Sequence, residues 1–178
     1  MLEQLRMAYG KRVLKNAVTR PKKVQSISLE SIRKCVVVID EQAIKQKRLQ
    51  NAHLILENAN PALNIHFISY SKKPNDKTTT PFEKLEILYR KDLNWYYRPK
   101  NMSVGVCDLL IDLTLKPVLP LQFLTAMSNS TFKVGIDQMW NKEVLSLMIQ
   151  SKEPEKLDDT IEQLVKYINM INKEKDAA

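Results

Sequence analysis

Three short runs rich in β-branched and aromatic residues constrain this chain more than anything else in it. Cys35–Ile39 reads CVVVI, Ile65–Tyr70 reads IHFISY and Leu109–Leu113 reads LLIDL. A strand with one wet face alternates apolar and polar residues, and CVVVI does not. Runs of this kind suit strands covered on both faces, the habit of parallel sheets. Between the first two lies a helical stretch from Asp40 to about Ala59, with Ile44, Ala52, Ile55, Leu56 and Ala59 on one side and Pro61 as its stop. Strand, helix and strand over about 35 residues make a βαβ unit.

The rest of the chain continues the alternation. Residues 71–81 (SKKPNDKTTTP) hold turn formers and solvated side chains and read as a loop. Leu85–Tyr89 leans to strand, and Lys91–Lys100 (KDLNWYYRPK) reads as irregular. Leu121–Ser128 reads as a helix with Pro120 at its first position, where the missing N–H is not needed. Phe132–Ile136 and Leu145–Ile149 read as short strands. Leu157 to Asn172 reads as a helix whose stripe is Leu157, Ile161, Leu164, Val165, Ile168 and Ile171. The expected fold is therefore α/β: an open, mostly parallel, Rossmann-like sheet of five to six strands, helices on both faces, and a basic N-terminal helix in addition.

That first helix covers residues 2–18, with Leu2, Leu5, Tyr9, Val13 and Ala17 as its apolar stripe. Gly10 weakens it by about 1 kcal/mol relative to alanine, and Pro21 stops it. Residues 19–34 read as a basic connector with a short turn at Ser28–Ile32. The expected organisation is a basic helix and connector (1–34), an α/β domain (35–173) and a frayed tail (174–178). Charge motivates the first boundary. Residues 1–34 carry nine Lys or Arg against Glu3 and Glu30, whereas the remaining chain is almost neutral, within a total of +8. Such asymmetry suggests an appended arm rather than a basic domain.

With 178 residues, 44% hydrophobic and 27% charged, the chain has the composition of one globular domain. No apolar run has the roughly 18 residues of a membrane span, and the first 20 residues lack a signal-peptide core. Cys35 and Cys107 both flank expected strands and read as small core thiols rather than a disulfide. The expected location is cytoplasmic, or peripheral at the membrane through the basic arm.

Four residues are candidates for a ligand cleft. In open α/β sheets ligands bind beyond the carboxyl ends of the strands, at the point where strand order reverses. Asp40 ends VVVID and Asp112 lies near the end of LLIDL, so either can orient a hydroxyl or act as a base; the competing reading is a helix cap or structural carboxylate. Lys133 and Trp95 complete the set. Trp95 belongs to the unusual segment Asp92–Arg98, where aromatic faces beside Arg90, Lys91, Arg98 and Lys100 can stack on a ligand, although covering a sheet edge is the commoner use. The chain has three glycines, Gly10, Gly105 and Gly135, and none follows a strand to open a helix. GxGxxG and P-loop motifs are absent, and Asp40-Glu41 would repel a pyrophosphate. His53 and His66 lack partners at metal-ligand spacing. The sequence thus implies no cofactor, no metal and no catalytic constellation.

The basic arm (Arg6, Lys11, Arg12, Lys15, Arg20, Lys22 and Lys23) has three uses open to it. It can bind anionic lipid headgroups, bind RNA phosphates, or pack its apolar stripe and leave a solvated basic face.

Several segments together resemble an uncharacterised bacterial family, mainly of the Bacteroidetes: the basic first helix, KDLNW at Lys91–Trp95, CDLLIDLTL at Cys107–Leu115 and SNSTFKVG at Ser128–Gly135. The resemblance implies a small cytosolic α/β protein and no particular activity. A weaker similarity over Asp108–Ile136 is to the N-terminal half of heptosyltransferase-like glycosyltransferases, with Lys133 where they carry arginine. It implies shared fold ancestry. The leading expectation is a non-enzymatic binding or adaptor protein, its basic helix meeting an acidic partner, protein partners included. The alternative is a small enzyme or sugar/nucleotide-binding domain with its cleft at the strand ends.

Overall fold

The computed structural model describes residues 1–18, 28–41, 46–72, 82–101, 106–150 and 157–176. Arg20, Lys22, Lys23, Ile44 and Gly105, and residues 73–81 of the loop expected at 71–81, lie outside the described residues. In chain order the elements are α1 (Leu2–Ala17), β1 (Lys34–Val38), α2 (Gln46–Ala59), β2 (Asn64–Tyr70), β3 (Leu85–Leu88) and β4 (Val106–Asp112). They continue with α3 (Leu119–Met127), β5 (Asn129–Ile136), β6 (Leu147–Ile149) and α4 (Leu157–Asp176). Short 3₁₀ turns fall at Leu29–Ser31 and Arg90–Asp92.

The six strands form one sheet in the order β3-β2-β1-β4-β5-β6, and every pairing is parallel. Val37 faces Phe67 on one side and Ile111 on the other, so the three runs that opened the sequence argument lie together at the centre. Each is sealed on both faces, as the lack of alternation required. On one face α2 and α4 pack over Cys35, Val37, Phe67, Leu109 and Ile111. Leu49, Leu56, Ile161 and Leu164 are completely buried there. The other face, built on Val36, Val38, Ile68 and Leu110, is covered by α1 and α3. Burying large side chains such as Phe67 and Phe123 stabilises the fold by roughly 1.5–3 kcal/mol each.

The connector ahead of β1 already belongs to this core. Leu29 and Ile32 are almost fully buried. The Asn60 amide donates to both of their carbonyls, at 2.8 and 2.9 Å, and its oxygen accepts from Ala62 N–H.

Helix α1 docks by only part of the face its spacing suggested, with Val13 half-buried against the core. Its buried residues are Gly10 and Leu14, whereas Leu2, Leu5 and Tyr9 are 71%, 62% and 47% exposed. Gly10 explains the rotation. A Cβ on it would lie 2.4 Å from the Tyr96 carbonyl oxygen and 2.8 Å from Leu119 Cδ2, so only hydrogen lets the helix come this close. The backbone of 93–99 and the start of α3 therefore select the glycine side of α1 over its leucine side.

Helix α3 begins one turn-position earlier than expected, with Leu119 ahead of Pro120. All its residues from Leu119 to Ala126 are buried, and the one with an amide side chain is Gln122.

Candidate functional site

The strand carboxyl ends come first, since the fold directs attention there. β1 and β4 are the central neighbours where strand order reverses, and Asp40 and Asp112 stand at their ends. Asp40 is half-buried. Its carboxylate accepts Leu115 N–H at 2.6 Å and is also bonded by the N–H of Lys116, pinning the loop between β4 and α3 across the reversal point. Burial raises its pKa, and those two N–H groups and the Lys116 ammonium oppose the rise.

Asp112 is 1% exposed and fully bonded. Oδ1 accepts from Thr114 N–H at 3.0 Å and from its hydroxyl at 2.6 Å, and Oδ2 accepts from the Thr125 hydroxyl at 3.0 Å. Burial pushes its pKa up to about 6 against the pull of these donors, and the Asp40 charge adds to the rise. Gly135 on β5 allows the close approach to Asp112 on β4: a Cβ there would lie 2.2 Å from the Asp112 carbonyl oxygen.

Lys133 is not at the strand ends. It faces the α1/α3 side at mid-strand, paired with Leu110, and its ammonium donates to the carbonyls of Thr125 and Ala126 at 2.9 and 3.1 Å. It closes the C-terminus of α3, where a cation meets the negative end of the helix. Burial lowers its pKa to about 8, with Cys107 opposing. Cys107 is itself raised to about 11 by burial, and burial also raises Cys35 well above its ordinary value. Both thiols are buried and neither is in a disulfide.

Trp95 is also elsewhere, on the surface over α1. It stacks on Tyr9 with ring centroids 4.7 Å apart and remains 53% exposed. The segment carrying it is closed by the Asn94 side chain, which accepts the N–H groups of Tyr96 and Arg98. Arg6 Nε donates to Trp95 O at 2.5 Å. Tyr97 has φ of 73°, a conformation rare outside glycine. Its ring is held between the guanidinium groups of Arg6 and Arg90, and its hydroxyl donates to Glu3 at 3.2 Å. Of the described basic residues, Arg6 is thus structural, while Lys11, Arg12 and Lys15 are exposed.

Two surfaces on α1 emerge. One flank shows Leu2, Leu5 and Tyr9 with Trp95, and Arg12 stands one turn on from Tyr9. On the other flank a groove of about 440 Å³ opens between α1, α3 and the β5–β6 connection. Its apolar walls are Met7, Leu14 and Val18 on one side and Leu119 and Trp140 on the other. Trp140 is fixed by donating its indole N–H to Gln138, which in turn donates to the Thr114 carbonyl. Sequence reasoning missed this groove because its walls come from three separate segments. One signal pointed to it: Gln122 is a lone amide in the otherwise apolar helix LPLQFLTAM.

Among the described residues no group of three or more His, Cys, Asp or Glu side chains is placed to hold a metal. No described helix is long and apolar enough to cross a membrane.

Fold and surfaces together define an α/β protein with a six-stranded, wholly parallel sheet and an extra N-terminal helix folded onto it. The chain belongs to the family of unknown function DUF6913, whose model matches residues 6–171. No curated protein matches it.

Proposed function

We propose that this is a non-enzymatic binding protein whose first helix rests on an anionic lipid surface. The observation that carries the reading is the exposed patch of Leu2, Leu5 and Tyr9 with Trp95 stacked on it. Tyrosine and tryptophan are suited to a boundary where one end of the ring is apolar and the other wet. Leucines beside them can enter the acyl region while Arg12, and Lys11 and Lys15 around the helix, meet headgroups at about 1 kcal/mol each near the surface. RNA offers phosphates for the same cations, yet an exposed leucine pair has nothing to bury against them. Arg20, Lys22 and Lys23 add charge just beyond the helix in sequence.

The alternative, a sugar- or nucleotide-binding cleft at the strand ends with ancestry shared with glycosyltransferases, is supported less well. Asp40 and Asp112 there already hold backbone and hydroxyl donors of the protein itself.

Deleting residues 1–34 is a poor test, because Gly10, Leu14, Leu29 and Ile32 are part of the packed structure. Point variants serve better. Co-sedimentation should show binding to phosphatidylglycerol-containing vesicles, weakening with added salt, and little binding to pure phosphatidylcholine. Leu5→Ser with Trp95→Ser should abolish it at unchanged stability. A protein that ignores anionic vesicles, or binds RNA in their place, refutes the reading.

A further inference from the structure

The groove on the opposite flank of α1 has features that a membrane-resting helix does not require. Its floor includes Gln122, which is 7% exposed, and whose amide makes no hydrogen bond to any described residue. The amide is not among the buried polar atoms left without a partner, so it is open to the groove, where a ligand's polar group can bond it. Lys11 and Lys15 stand on the rim one helical turn apart, and neither pairs with a carboxylate among the described residues. Among the described residues lining the groove, Glu143 is the single acid. Two ammonium groups against one carboxylate leave the mouth positive. The chain after Val18 supplies no anion to offset this, since 19–27 carries Arg20, Lys22 and Lys23 and no acidic residue.

A groove of about 440 Å³ with apolar walls and a few polar groups has the size and make-up of a small-molecule site. We infer that it binds an amphiphile with one apolar chain and one carboxylate. The chain would lie between Leu14, Leu119 and Trp140. The carboxylate would meet Lys11 and Lys15, and the Gln122 amide would donate to the ligand's polar end. The sign of the rim excludes cationic amphiphiles, and the unpaired amide disfavours plain hydrocarbons. This inference does not depend on membrane binding: it shares Lys11 and Lys15 with that reading, but its groove lies on the other side of the helix from Leu2, Leu5 and Trp95.

Trp140 makes the test direct. The chain has two tryptophans, so Trp95→Phe leaves Trp140 as the single emitter, inside the groove. Titration of that variant with 11-bromoundecanoate below its micellar range should quench the emission saturably. The uncharged 11-bromo-1-undecanol should bind more weakly. Adding Lys11→Gln with Lys15→Gln should raise the apparent Kd about tenfold, and Gln122→Leu should raise it too, although a leucine makes the groove more apolar. Both sets of positions border open space, and an unchanged urea midpoint will confirm folding. Quenching that rises linearly without saturation overturns the proposal. So does equal affinity for acid and alcohol, or tighter binding by the Gln122→Leu variant, which would mark the groove as merely greasy. Loss of vesicle binding in Leu5→Ser with Trp95→Ser, with fatty-acid quenching of Trp140 retained in Trp95→Phe, would separate the two surfaces.

Discussion

Replacing Asp112 with asparagine removes a buried charge while keeping the shape of the side chain, and the structure says what that should do. The carboxyl is pushed from an ordinary 3.8 up to about 6, chiefly by burial. At about 1.4 kcal/mol per tenfold change in proton affinity, its ionised form is disfavoured by about 3 kcal/mol in the folded chain. The sign follows from proton binding. Between pH 4 and 6 the folded protein holds this proton more tightly than the unfolded chain, so stability is fully present below pH 4 and declines as pH rises through 6. In Asp112→Asn the amide oxygen can still accept from Thr114, and its NH₂ can donate to the Thr125 hydroxyl, reversing that bond. Urea unfolding at pH 4.0 and 7.5 isolates the effect, because any fixed repacking penalty is the same at both. Relative to the unmodified protein, the variant should gain about 2–2.5 kcal/mol more at pH 7.5 than at pH 4.0. A difference below about 1 kcal/mol, or one of opposite sign, would refute the claim that desolvation outweighs the three donors.

Two further substitutions test the packing that positions the binding surfaces. Gly10→Ala improves helix propensity by about 1 kcal/mol, yet its methyl must displace the Tyr96 carbonyl and Leu119. A net loss of about 1–3 kcal/mol in urea unfolding is expected, and stabilisation would mean that α1 is not held where described. Asn60→Ala strips the donors from the buried carbonyls of Leu29 and Ile32. It should cost about 2–4 kcal/mol and speed hydrogen exchange across 28–33; unchanged exchange there would contradict the anchoring.

The strands and their environment were legible because they depend on local chemistry. Cys35–Ile39 cannot alternate, so it had to be sealed on both faces, and a parallel sheet does that with helices at hand. The stripe on α4 was legible for the same reason, and Leu157, Ile161, Leu164 and Ile168 are all buried. The first helix was legible as a helix but not as to which side packs. Leu2, Leu5 and Tyr9 are the apolar choice by composition, and transfer free energy alone would bury them. What overrode it was close approach: Gly10 permits contact with the backbone carbonyl of Tyr96, 86 positions further along the chain, a constraint present in no local pattern.

The chemistry of the candidate sites divides in the same way. That Asp40 and Asp112 stand near strand ends followed from the runs that precede them. That both are consumed by the β4–α3 loop and by Thr125 depended on which strand lies beside which. Lys133 resembled a ligand-binding cation in sequence, and only its position under the end of α3 made it a helix cap. The groove is the extreme case, since Lys11, Gln122 and Trp140 share no segment and meet through the folding of α1 onto α3. Hydrophobic periodicity is a property of neighbours in sequence, and it determined the elements; surfaces are properties of neighbours in space, and those waited on the tertiary packing.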